Sequence, residues 1–269
     1  MSLSKTAYCP TQSPIPDSGL PHIGLQRFLP HPTLRPWVQC YWSARFMGSS
    51  TSRMQERLYP DGGVSITFNL LDPRQHWFSA KHDLYLMAVN KGMHHVGIRF
   101  HPGGAQWLLR HSLHELSDRH YRLADIALTD VNRLSDELIR EERVVDQLLL
   151  LDQWLLSRCR QLQPEVNIAQ QVMAGWGRVD TDLNTWTKAE GINRRRIERA
   201  FQRFVGISPG HWKNLSQVSR ARQWLKKMPQ TALSQVALVC GFYDQAHFNR
   251  QFLSITGQTP GHYRRRHLP

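Results

Sequence analysis

Arg195, Glu198, Arg199 and Gln202 recur at helical spacing, so they share one face of a helix expected over that stretch. An arginine fork matches the acceptor pair of guanine, and an amide can pair with adenine. A carboxylate accepts from cytosine, or it neutralises a neighbouring arginine. The run Arg194-Arg195-Arg196 stands at the start of the same helix, where cations meet phosphate. This is recognition chemistry, not bond-making chemistry. The chain has no nucleophile–base motif, no phosphate-cradling glycine loop and no carboxylate pair at a convincing spacing.

These residues sit in a duplication. Ile197-x-Arg199-x-Phe201 followed by Gly206-Ile207-Ser208-Pro209-Gly210-His211-Trp212 returns as Phe248-x-Arg250-x-Phe252 followed by Gly257-Gln258-Thr259-Pro260-Gly261-His262-Tyr263, offset by 51 residues. Two copies are too few for a solenoid and fit a duplicated helical module. In the second copy, residues 234–240 read as a short helix, Gly241 as its stop, and Asp244 as the cap of a second helix running to about 253. Phe248 and Phe252 share its inner face. In the first copy, residues 182–189 form the leading helix, Gly191 the turn and Asn193 the cap. Ile197, Ala200, Phe201 and Phe204 make the inward stripe. Helix, tight turn, helix is the helix-turn-helix plan.

Between the copies, Pro209 opens a helix that runs to Lys227. Nineteen such residues span roughly 28 Å, near the roughly 34 Å between successive major-groove entries on one DNA face. Charge agrees. Residues 165–269 hold 16 Lys and Arg against 6 Asp and Glu, so most of the net +13 lies there. Clustered basic charge drives phosphate binding through counterion release.

The second copy, from Val236-Ala237 through Gly241-Phe242, Asp244-Gln245, His247-Phe248, Arg250, Phe252, Gly257, Pro260 and Tyr263-Arg264, resembles the DNA-binding domain of the AraC/XylS family of bacterial transcription regulators. The resemblance covers about 100 of 269 residues. It implies two helix-turn-helix units on one long helix, binding to double-stranded promoter DNA, and most often activation through RNA polymerase contact. It places base-reading positions at Arg195, Glu198 and Arg199 in the first unit and at Gln245, Ala246 and Arg250 in the second. Arg194, Gln202, His247 and Asn249 complete the candidate DNA-binding set. Trp186 and Thr187 depart from the family pattern, standing where a small aliphatic pair is usual.

The expected division is a loose tail over 1–20, a sensor or dimerisation domain with a helical linker over 21–164, and the DNA-binding domain over 165–269. Pro60-Asp61-Gly62-Gly63 is a turn signal, and residues 64–70 alternate as a strand does. Residues 83–89 and 94–100 read as strands joined by an Asn90-Lys91-Gly92 hairpin turn. Residues 35–46 are another extended candidate. Residues 105–111 turn helical, and 131–162 read as helix with a leucine-rich side. Tyr59-Pro60-Asp61-Gly62 and residues 96–104 are similar to sensor domains of one branch of the same family. That implies a β-rich, barrel-like or cupin-like body with trailing helices, ahead of the all-α domain, an α+β chain overall.

No cofactor or metal is assigned. Among 14 histidines, His94, His95 and His101 flank one strand, but His94 and His95 point to opposite faces. Trp37, Tyr41, Trp42, Trp77 and Trp107 suit either a sensor pocket or ordinary core. Cys9, Cys40, Cys159 and Cys240 are scattered, as in reduced cytosolic proteins. The chain lacks an apolar signal segment and a membrane-length apolar run, so a cytoplasmic protein off the membrane is expected. A small-molecule effector and a homodimer are both open. The leading expectation is a one-component regulator that senses a small molecule and is not an enzyme. The rivals are a first domain that only dimerises or docks a protein partner, and an enzyme carrying a DNA-binding appendage.

Overall fold

The computed structural model describes residue 20 and residues 23–46, 54–109, 112–117, 119–126, 128, 130–177 and 182–266. Residues 1–19 of the expected tail, Cys9 among them, lie outside the described residues, while Leu20 at its end bridges to Leu25.

Eight strands come first: β1 (Leu25–Phe28), β2 (Val38–Arg45), β3 (Met54–Leu58), β4 (Ser65–Asn69), β5 (Trp77–Ser79), β6 (Tyr85–Val89), β7 (His94–Phe100) and β8 (His120–Arg122). Nine helices follow among the described residues: α1 (Val131–Arg140), α2 (Val144–Leu162), α3 (Ile168–Trp176), α4 (Leu183–Ala189), α5 (Arg194–Phe204), α6 (Pro209–Lys227), α7 (Leu233–Val239), α8 (Gln245–Thr256) and α9 (Pro260–Arg265). A β-rich body followed by an all-helical region is therefore the architecture. The body is an open antiparallel sheet in the order β1-β2-β7-β4-β5-β8, with β3 and β6 forming a second, two-stranded sheet.

Strand alternation gives the large sheet two unlike faces. Tyr41, Ile66, Phe68, Phe78, Val96, Ile98 and Phe100 point one way and bury against Leu134 and Leu138 of α1 and Leu148, Leu151 and Leu155 of α2. Two buried polar ties pin these layers. Asp152 of α2 accepts from Tyr41 Oη at 2.5 Å and from the His31 amide at 3.0 Å. Burial pushes its carboxyl upward, while those two bonds pull it back. His76 Nδ1 accepts from the Asn69 amide at 3.0 Å, so its Nε2 carries the proton given to Ser135 of α1.

Three expectations need correction. Residues 131–162 form a helical hairpin, not one helix: Glu141 and Arg143 are extended, and buried Gln147 donates to the Glu141 carbonyl at 2.7 Å. One unbroken rod would run about 48 Å and overshoot the sheet, whereas the hairpin lays both leucine faces on it. Asn90-Lys91-Gly92 does turn the chain, with the Met93 amide on the Asn90 carbonyl at 3.1 Å. It is not the loop of a hairpin, however. Both edges of β7 are taken by β2 and β4, so β6 pairs with β3 instead. The expected helix over 105–111 is a short 3-10 turn, Gln106–Leu108, with residues 110–111 outside the described set.

The helical region has two cores. Ala169, Val172, Ile197, Phe201, Trp212 and Leu215 build the first; Val218, Ala221, Leu225, Val236, Phe248 and Phe252 build the second. The first half of α6 thus belongs to one unit and its second half to the other. Ile255 of α8 packs against both. The repeated Ser/Thr-Pro is a helix start in each copy. Ser208 accepts from the His211 amide and Thr259 from the His262 amide, both at 3.2 Å, with proline in the first turn. The second of these starts opens α9.

Candidate nucleic-acid interface

Each unit presents one helix whose inner face is fixed and whose outer face is free to touch a ligand. In α5, Asn193 caps the first turn by accepting from the Arg195 amide at 2.8 Å, and Ile197 and Phe201 are fully buried. In α8, Asp244 accepts from the His247 amide at 2.6 Å, and Phe248 and Phe252 are fully buried. These anchors set the rotation of both helices. Arg195 and Arg199 are exposed on α5; Gln245, Ala246 and Arg250 are exposed on α8. Arg199 and Arg250 are equivalent positions of the 51-residue repeat.

The remaining candidates are half-buried or engaged. Arg194 Nε meets Glu198 Oε1 at 2.8 Å, and its Nη1 donates to Asn184 Oδ1 at 2.6 Å. The pairing alternative for Glu198 is the one the structure adopts, and it ties α5 to α4. Gln202 Oε1, His247 Nδ1 and Asn249 Oδ1 are sheltered from solvent and make no hydrogen bond within the protein. Sheltered polar atoms without partners are costly.

Sequence reasoning did not single out Asn184 and Lys188, which line an open groove with Thr187, Asn193 and Arg194 beside α5. Nor did it find Tyr243, 92% exposed in the turn before α8. The only sequence signal for Tyr243 is a large aromatic beside a helix cap. The departure at Trp186 and Thr187 has a local reason. The indole of Trp186 lies over Gly175 of α3, so close that a Cβ there would sit 2.8 Å from Cζ2. Thr187 is buried and donates to the Asn184 carbonyl at 2.9 Å. An additional helix gives the larger side chain something to pack on.

Among the described residues no group of three or more His, Cys, Asp or Glu could hold a metal ion, and no helix is long and apolar enough to cross a membrane. Cys40, Cys159 and Cys240 are free thiols. Burial raises all three above the usual thiol range, opposite to what a reactive thiolate needs.

Residues 186–266 match a family described as a helix-turn-helix domain, and residues 26–122 match one described as a domain of unknown function (DUF6597). The chain is 27% identical over 167 residues to the HTH-type transcriptional regulator GbdR of Pseudomonas aeruginosa. That match takes in 60% of this chain and 42% of GbdR, so the chain spans less than half of that relative's length. It is 29% identical to the structure of a probable AraC family transcriptional regulator from Rhodopseudomonas palustris, covering 38% of this chain and 94% of that one, with a TM-score of 0.33. Against the structure of ToxT from Vibrio cholerae the identity is 10% and the TM-score 0.42, covering 85% of this chain and 98% of that one. Residues 186–266 are therefore a helix-turn-helix domain of the AraC type.

Proposed function

We infer that this chain is a sequence-specific transcription regulator that binds duplex promoter DNA through α5 and α8 and is controlled by its first domain. One observation carries the reading most. Arg199 and Arg250 recur at the same place in two copies of a helix-turn-helix, both exposed, on helices held by the shared rod α6. Arg195, Arg199, Gln245, Ala246 and Arg250 contact DNA directly in this reading. Gln202, His247 and Asn249 flank them half-buried, and Arg194 orients Glu198. The chain acts as a regulator and not an enzyme, in the cytoplasm where DNA is, with RNA polymerase as the partner in activation and a homodimer as its working form. Residues 165–269 are the DNA-binding domain and 21–164 the sensor.

A small-molecule effector is supported by the other face of the large sheet. Trp42, Thr67 and Trp77 share that face and remain half-buried, although Tyr85 of β6 reaches across to stack on His120 of β8 at 4.7 Å. A densely packed layer would bury them. Titrating the full chain with random duplex at rising salt tests DNA binding. Affinity falls steeply with salt as counterions are released, and a salt-independent or absent affinity contradicts the proposal. A thermal-shift screen of small metabolites tests the effector, because a ligand of the folded state raises its melting point.

A further inference from the structure

The first domain touches both helix-turn-helix units at equivalent points of the repeat. Gly206 follows the C-terminal end of α5, and its counterpart 51 residues on, Gly257, caps the C-terminal end of α8. A Cβ added at Gly206 would collide with Ser117 Oγ and lie 3.0 Å from His82 Nε2. A Cβ added at Gly257 would lie 3.0 Å from Leu84 Cδ2. His82 and Leu84 are two residues apart in one segment, so the ends of both recognition helices converge on it.

Each contact is reinforced. At the first unit, the Leu113 amide donates to the Arg203 carbonyl at 2.9 Å, and Ser117 Oγ, which donates to the Leu113 carbonyl at 2.7 Å, lies 3.3 Å from the Gly206 carbonyl. At the second, Tyr59 Oη accepts from Gln258 Nε2 at 2.9 Å. The Arg222 guanidinium of α6 lies 3.6 Å from the Tyr59 ring centre, and Tyr263 meets that ring edge-on at 6.3 Å. Tyr59 packs as part of the second unit's core. These contacts lie at the C-terminal ends of α5 and α8 and on α6 and α9, and none of them involves Arg195, Arg199, Ala246 or Arg250.

The geometry points to the first domain, through Tyr59, His82, Leu84 and Ser117, as a bridge that fixes the two recognition helices relative to each other and so determines which spacing of DNA elements the protein accepts. This rests on the DNA-binding reading above and adds specificity-determining residues outside the DNA-binding domain. A rigid bridge discriminates because one inserted base pair moves the second element by roughly 34° and 3.4 Å, which a fixed pair of helices cannot follow.

The test uses the full chain, Tyr59→Ala and Leu84→Ala, with two readouts. The first needs no DNA: hydrogen exchange at the Gly206 and Gly257 amides, which are bonded to the Phe201 and Leu253 carbonyls at 2.9 and 2.8 Å. Either substitution speeds exchange at both glycines, including the one in the unit it does not touch. A change confined to the touched unit overturns the bridge. The second readout is affinity for a duplex selected by the full chain from a random library, against the same duplex with one base pair inserted between its two elements. The unsubstituted protein loses roughly tenfold or more on insertion, the scale of a mismatched site, and the variants lose severalfold less. An equal penalty in all three proteins overturns the proposal. If the unsubstituted chain selects no duplex, the DNA-binding reading itself fails, and exchange alone judges the bridge.

Discussion

Acid should unfold the first domain earlier than its carboxylates alone would predict, and His95 sets the scale. It sits on β7, the strand flanked on both sides, opposite Ala44 and Asn69. Burial, and then the neighbouring His94 and His76, push its pKa from 6.5 to about 4. The folded value is the lower one, so between the two values the unfolded chain binds the extra proton. His95 therefore contributes stability that is complete above about pH 6.5 and is lost as pH falls toward 4. Each pKa unit is worth about 1.4 kcal/mol, so the full loss is about 3 kcal/mol, most of it between pH 7.5 and 4.5. His76, His94, His101 and His120 are lowered by burial too and steepen the same window. Asp152 works the other way: burial raises its carboxyl, so the folded form takes up that proton before the unfolded chain does, which softens the fall at the acid end. Urea titrations at pH 7.5, 6.5, 5.5 and 4.5, followed by tryptophan fluorescence, measure the effect. With a typical urea slope of about 2 kcal/mol per molar, the midpoint drops by about 1 M or more. His95→Gln, which cannot titrate, flattens the curve by most of that loss. A His95→Gln protein with the parent's pH slope would refute the assignment.

Three further outcomes follow. Tyr41→Phe leaves the buried Asp152 carboxylate without its shortest bond and lowers stability by about 1–3 kcal/mol, read as a lower melting temperature. Phe252→Ala opens a cavity in the fully buried second core and costs about 3–5 kcal/mol; a melting curve and the loss of DNA affinity report it together. Arg250→Ala costs about 1–3 kcal/mol at the cognate site and relaxes one position, whereas Arg265→Ala weakens all sequences about equally. Indistinguishable behaviour across a panel of site variants would remove the division between reading and anchoring residues.

The helical region was legible because its signals are local. Asn193, Asp244 and Pro209 mark helix starts that the structure reproduces, and the repeat fixes which faces of α5 and α8 turn inward. The short edge strands β1 and β8 and the strand β3 were not read, since three to five residues carry little alternation and owe their state to neighbours distant in sequence. The same limit explains the Asn90-Lys91-Gly92 turn. A turn's residues announce a reversal but not which strand the chain will pair with. α3 lies between the expected linker and the first unit, and only the unusual Trp186 hinted that something there needed covering. The outward face of α5 was read from spacing, and the base-reading positions of both units came from the family resemblance. The engagement of Arg194 with Glu198 and Asn184, and the contacts of Tyr59 and Leu84 with the second unit, depend on tertiary proximity that no spacing encodes.

Hydroxyl-radical footprinting of the full chain on a selected duplex tests the central claim, that two equivalent helices read one site together. The account predicts two protected patches on one face of the DNA, about 10 base pairs apart. Arg199→Ala should weaken one patch and Arg250→Ala the other. A single patch, or two patches that both arginine substitutions weaken identically, would contradict it.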